Sequence, residues 1–160
     1  MKIEENDAFR IYINNRETEK IDELVKAINT DVEKNVDCKE CGACCKRLMI
    51  NVTATEITSV SKNLNANETD FKNKYIEESL NGQFIINTIP CHFLEDKICS
   101  IYENRFNECR EFPHLHKSNF KQRLFATLIH YSICPIIFNV VEQLKLTTGF
   151  LINKFETNES

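Results

Sequence analysis

The sequence predicts a small single domain with an α+β fold that is mostly helical and carries irregular cysteine-rich loops. Three observations carry this expectation: apolar residues recur at helical spacing in several stretches, one short run reads as a strand, and the stretches holding most of the cysteines follow neither period. With 160 residues, 42% of them hydrophobic and 28% charged, the chain is long enough for one packed core and short for two.

The elements follow in order. From about Asp7 to Val32, the residues Phe9, Ile13, Ile21, Leu24, Val25, Ile28 and Val32 recur at helical spacing with charged residues between them, which predicts one or two amphipathic helices in an N-terminal segment, 1–36. Asp37 to Lys46 breaks that period with small residues and four cysteines. Thr53 followed by Glu56 has the form of a capping box, so a helix is expected over 54–63. Asn67 with Asp70 can cap another helix carrying Phe71, Tyr75, Ile76 and Leu80, with Asn81 and Gly82 at its end. The run from Gln83 to Ile89 then reads as the strand. Between Pro90 and Pro113 the pattern is irregular, holding Cys91, Cys99 and Cys109 with one helical turn before Cys109. Leu124 to Tyr131 and Pro135 to Leu146 read as helices, Pro135 suiting a first helical position where its missing N–H costs nothing. Cys134 then stands at a helix start, which favours a thiolate. Residues 37–146 are read as a cysteine-cluster region and 147–160 as a tail, polar and frayed from Glu156 to Ser160.

The formal charge is −4 and no face of clustered Lys or Arg is visible, so the footprint of a nucleic-acid binder is missing. MKIEENDAFR at the N-terminus has no apolar run behind a basic start, and the longest apolar stretch, around Ile133 to Val141, is too short to cross a bilayer. These features predict no membrane partner and a cytoplasmic location. Reducing cytosol keeps thiols free, so the eight cysteines are read as metal ligands and not as a disulfide framework.

Cys38, Cys41, Cys44 and Cys45 form C-x2-C-x2-C-C in the peptide DCKECGACC, a spacing that brings thiolates around one centre as ferredoxin-type loops do. Gly42 allows a positive φ and Ala43 is small, which lets the loop wrap closely. Adjacent Cys44 and Cys45 are expected to point their side chains apart, which hinders both from binding one ion and favours two neighbouring centres. Cys91, Cys99, Cys109 and Cys134 complete two sets of four, the usual complement of a structural zinc or one cluster. The metal ligands predicted from sequence are therefore Cys38, Cys41, Cys44, Cys45, Cys91, Cys99, Cys109 and Cys134, in one or two centres around which the loops are organised. Against this, a buried cysteine such as Cys134 or Cys91 also serves as a small hydrophobe. Of the histidines, His92 is the one candidate ligand. Arg105 and Arg110 flank Cys109 and could offset thiolate charge. Glu40, Glu103 and Glu111 could act as acid or base beside a metal-bound water, although a solvated charge is the commoner role.

The run Cys38 to Cys45, then Pro90-Cys91-His92-Phe93-Leu94, Cys99-Ser100-Ile101-Tyr102-Glu103, Arg105, Cys109-Arg110, Phe112-Pro113 and finally Cys134-Pro135 closely resembles the YkgJ family of cysteine-cluster proteins. The resemblance spans Asp37 to about Lys145, includes all eight cysteines in order, and implies a zinc- or iron-chelating domain. Flagellin lysine methylases carry a related cysteine domain, which extends the resemblance towards protein modification without transferring an activity. Phe106 stands where the family pattern usually has Pro, and His92 where it often has Pro. Loss of the first Pro is expected to leave the backbone before Cys109 more mobile.

Three functions are compatible with these features. An iron–sulfur protein, with 4Fe–4S the expected cluster and a redox or electron-transfer role, is placed first. A zinc-binding structural or protein-interaction module is second, and a metal-dependent enzyme or accessory factor for protein modification is third. No Ser-His-Asp order, phosphate-cradling loop or H-E-x-x-H is present, so no catalytic residue other than a metal centre is assigned. A protein partner is compatible with the sequence, which identifies none.

Overall fold

Helices make up 55% of the computed structural model and strands 8%, so the mostly helical α+β fold expected from the sequence is the one observed; the structure describes residues 2–150. The elements run α1 (Lys2–Asn14), α2 (Thr18–Glu33), α3 (Cys38–Cys41), β1 (Asn51–Val52), α4 (Ala54–Asn63), α5 (Glu68–Tyr75), β2 (Ile76–Glu78), β3 (Phe84–Ile86), β4 (Leu94–Glu95) and β5 (Ile98–Cys99). A 3₁₀ turn (Tyr102–Asn104), α6 (Asn107–Glu111), α7 (Phe120–Ile129) and α8 (Pro135–Thr147) complete the order. The expected frayed segment, Glu156 to Ser160, lies outside the described residues. Among the described residues, no helix is long and apolar enough to cross a membrane.

Contacts divide the described residues into two units, one contiguous over Asp37–Phe112 and one built from the flanking segments 2–36 and 113–150. The sequence reading carries the cysteine region on to residue 146, whereas α7 and α8 group with the N-terminal helices. Their apolar faces give the reason: Phe9 and Ile13 of α1, Val25 of α2, Leu124 of α7 and Val140 and Leu144 of α8 are all fully buried, and α2 packs on both α7 and α8.

Two polar devices fix this helical unit. Asp22 of α2 accepts the backbone N–H groups of Asn119 (2.7 Å) and Phe120 (2.9 Å), capping α7 from another helix. This moves the helix start four residues ahead of the expected Leu124. Lys145 of α8 is buried, and its Nζ donates to Glu5 Oε1 (2.9 Å), Asn6 Oδ1 (2.6 Å) and Glu142 Oε1 (2.6 Å), tying α8 to α1.

In the contiguous unit, β1 and β2 flank β3 in an antiparallel sheet with Val52 opposite Phe84 and Ile76 opposite Ile86. The sequence predicts helix through Leu80, but α5 stops at Tyr75. Ile76–Glu78 pairs with β3 instead, in a hairpin whose turn is closed by Ser79 N–H on Gln83 O and Gly82 N–H on Ser79 O. Sheet pairing overrides local helix propensity here. Phe71, Phe93, Phe106, Ile57 and Ile86 share one apolar core, against which Cys91, Cys99 and Cys109 pack. Phe106, at the place of the missing Pro, has φ −60°, the value a proline ring imposes. Its side chain is 2% exposed, which anchors the stretch expected to be mobile.

Glu56 joins two helices. Its Oε2 accepts Thr53 N–H (2.8 Å) in the capping box of α4, and its Oε1 accepts Asn107 N–H (2.6 Å) at the start of α6. Burial pushes this carboxyl up, but the N–H groups of Asn107 and Thr53 and the Thr53 hydroxyl outweigh it and hold its pKa below the usual value. Glu56→Ala is expected to lower stability by about 2 kcal/mol, two caps being lost at once. A denaturant midpoint unchanged from that of the native protein would refute the double role.

Candidate metal centre

The cysteine loop starts with a cap. Asp37 Oδ1 accepts Lys39 N–H (2.8 Å) and opens the single turn Cys38–Cys41. Gly42 ends it with φ +58°. A Cβ on Gly42 would stand 2.6 Å from the carbonyl oxygen of Lys97, so the loop lies directly against the turn of the β4–β5 hairpin. That hairpin sets Cys99 opposite Leu94. Cys45 O accepts Cys91 N–H (2.8 Å), which joins the first cysteine run to the second, while Cys44 O accepts Leu48 N–H (2.8 Å) within the first loop.

Sulfur positions correct one expectation. Cys44 Sγ and Cys45 Sγ stand 3.9 Å apart. The adjacent side chains therefore converge instead of pointing apart, and the argument from divergence to two centres fails.

Electrostatics tie five thiols together. Cys44 is lowered to about 6, first by its hydrogen bond with the Cys45 thiol, against burial, and then by the backbone N–H groups of Cys45 and of Cys44 itself. Cys45 is raised correspondingly by the same hydrogen bond, by burial, and by the charges of Cys44, Cys91 and Cys99. Cys109 is pushed up to about 12 by burial and by the charges of Cys91, Cys44, Cys99 and Glu108. Burial also raises Cys91 and Cys99, each opposed by a backbone N–H aimed at its sulfur, from Phe93 and from Ile101, and for Cys99 also by the charge of Arg105. Thiols that oppose one another's ionisation are stabilised as thiolates by a cation placed among them.

The two N–H donors were missed from sequence, although a signal was present. Cys91-His92-Phe93 and Cys99-Ser100-Ile101 both set an apolar residue two positions after a cysteine. Both Phe93 and Ile101 are buried, so a core side chain holds each N–H where it meets sulfur. Such donors orient thiolate ligands and tune the metal.

The structure packs Cys91, Cys99 and Cys109 against one apolar core, joins Cys91 to the first run through the Cys45 carbonyl, and sets the Cys44 and Cys45 sulfurs 3.9 Å apart. Cys41 and the exposed Cys38 lie on α3 beside them in the chain. Cys134 belongs to the other unit, where it is the buried N-cap of α8. No disulfide joins any of the eight. Among the described residues, no group of three or more His, Cys, Asp or Glu side chains is arranged to hold a metal ion as the side chains stand. The donor chemistry fits a soft or borderline metal all the same, since the thiolates come with backbone N–H donors already aimed at two of them.

The other candidates have evident tasks. His92 Nε2 is 2.7 Å from Asn87 Oδ1, and its ring meets the edge of Tyr75. The Arg105 guanidinium lies 3.8 Å over the Tyr102 ring and donates to Tyr102 O. Arg110 donates to the carbonyls of Arg105 and Glu103, so it serves the local backbone. Glu103 pairs with Lys39 at the surface (3.2 Å).

No curated protein and no solved structure matches the chain. A family model described as CxxCxxCC, a putative zinc- or iron-chelating domain, matches residues 37–127. That stretch covers more than half of the chain, the whole contiguous unit and its seven cysteines. The protein belongs to this family, the same one that its cysteine pattern resembles.

Proposed function

We propose that residues 37–112 form a thiolate metal-binding module that holds zinc or iron directly on cysteine sulfur, with a structural role in tying the loops to the core. The 3.9 Å separation of the Cys44 and Cys45 sulfurs carries this reading. Two thiolates on one tetrahedral ion stand about 3.8 Å apart when each bond is about 2.3 Å. The four thiolates of a 4Fe–4S cluster bind four different irons, which sets them further apart than two ligands of one ion. Closed thiolate sites of this kind contribute folding energy outright. The reading places the protein in a reducing compartment such as the cytoplasm, where thiols stay available.

A second reading keeps the iron–sulfur cluster, with a redox or electron-transfer role, because C-x2-C-x2-C is ferredoxin-like spacing. Metal and acid-labile sulfide content, with a visible spectrum, on protein purified without oxygen separates the two. Zinc or iron without sulfide is expected. Iron with matching sulfide and a brown colour would establish the cluster instead, and protein devoid of either metal after reconstitution would end both readings.

A further inference from the structure

We propose that Cys44 and Cys45 form a peroxide-responsive dithiol, a pair that closes to a disulfide between neighbouring residues and reopens on reduction. This goes beyond the metal-binding reading above, since the pair needs no metal to react.

Geometry carries the assignment. The two sulfurs stand 3.9 Å apart. A disulfide bond is about 2.05 Å long, so rotation about the side-chain bonds has to bring them about 2 Å closer. Both residues are half-buried, which leaves them within reach of a small peroxide, and each has the other beside it as a resolving thiol.

The flanks are anchored while the pair closes. On one side Gly42 is seated under the Lys97 carbonyl, and on the other Cys45 O accepts Cys91 N–H (2.8 Å). Between the two sulfurs lies the Cys44–Cys45 peptide, whose carbonyl oxygen accepts the N–H groups of Arg47 (3.0 Å) and Leu48 (2.8 Å). A disulfide closes a small ring through that peptide. Adjacent Cα atoms are about 3.8 Å apart, below the roughly 4.4–6.8 Å of ordinary disulfides, so the bond is strained and easily reduced. The ring twists the peptide and turns the Cys44 carbonyl from its two donors, which makes the turn after Cys45 the part that responds.

The chemistry balances with hydrogen peroxide as oxidant. One sulfur attacks a peroxide oxygen, breaks the O–O bond and becomes a sulfenic acid, with water leaving. The second sulfur attacks the sulfenic sulfur and expels a second water. Two thiols thus lose two electrons and two protons, and a dithiol reductant returns them by exchange. A metal held on either sulfur leaves as the bond forms.

The full chain as purified tests this through treatment with stoichiometric hydrogen peroxide, alkylation of the remaining thiols and tandem mass spectrometry of the tryptic peptide 40–46, which also holds Cys41. Bound metal is measured before and after. Expected is a peptide lighter by two hydrogens, alkylated on Cys41 alone and restored to three alkyl groups by a dithiol reductant. Cys41→Ser is expected to keep the link, and Cys45→Ser to leave Cys44 as a sulfenic acid that dimedone labels. Should Cys45→Ser fail to fold, the unsubstituted chain still decides through the link itself. Alkylated Cys44 or Cys45 after peroxide, or a link from either to a third cysteine, would overturn the inference and leave the metal reading standing. A link formed with metal loss upholds both, and a link formed with all metal retained upholds the inference and overturns the metal reading at these two sulfurs.

Discussion

Lys145→Met is expected to lower the unfolding free energy of the protein by about 3 kcal/mol, near the lower end for breaking a buried ion pair by removing one partner. The lysine side chain is 5% exposed and its ammonium has three oxygen partners, on Glu5, Asn6 and Glu142. Methionine fills the volume and leaves those oxygens without their donor. The loss stays near the lower end because Lys2 still pairs with Glu142 (2.7 Å) and both glutamates keep some contact with solvent. Denaturant unfolding followed by the helical signal measures it, and a loss below about 1 kcal/mol would show that the network is incidental.

The same network sets a pH dependence. Burial pushes Glu142 up, but hydrogen bonds from Lys145, Lys2 and Tyr131 outweigh it and hold the carboxyl at about 2. A carboxyl depressed in the folded state stabilises above its unfolded value, and that contribution is lost as pH falls through the folded one. Stability should therefore drop between about pH 4 and pH 2, and Lys145→Met should flatten the drop.

Gly42→Ala is the second large effect. At φ +58° an L side chain strains the backbone by about 1–2 kcal/mol. The added Cβ would also meet a backbone carbonyl at 2.6 Å, which no flexible side chain can relieve. Together these predict a loss of about 3 kcal/mol with reduced metal content, because the cysteine loop must lift off the hairpin turn. Gly82→Ala is the control: its φ is +77° but nothing lies within 4 Å of the added carbon, so it should cost about 1 kcal/mol and leave metal content intact. Equal losses in the two variants would show that the approach to Lys97 is unimportant.

Signals written in neighbouring residues were legible in the sequence. The capping box of Thr53 and Glu56 placed α4 over 54–63, and Pro135 at a first helical position placed α8. The cysteine spacing, read with the motifs around it, led to the family. What depended on distant partners was not legible. α7 begins at Phe120 because Asp22, far away in sequence, caps it, and Ile76 leaves the helical pattern because Ile86 offers a strand to pair with. The burial of Lys145 depends on Glu5 and Asn6 of α1, which are far from it in sequence. The convergence of Cys44 and Cys45 depends on local backbone angles that spacing alone does not specify. The N–H donors of Phe93 and Ile101 were within reach, since a cysteine followed two places later by a core residue occurs at both sites.

The order of the two units along the chain bears on how the protein is made. α1 and α2 leave the ribosome before α7 and α8 exist, so the faces carrying Phe9 and Val25 remain without their final partners while the whole of Asp37–Phe112 is synthesised. The contiguous unit suffers no such delay and can complete its contacts as it emerges. A metal captured at that stage would stiffen the intervening chain and reduce the loop-closure entropy that the terminal helices must overcome to meet. Metal supply during translation would then govern the yield of the helical unit, although none of the seven cysteines of residues 37–112 belongs to it.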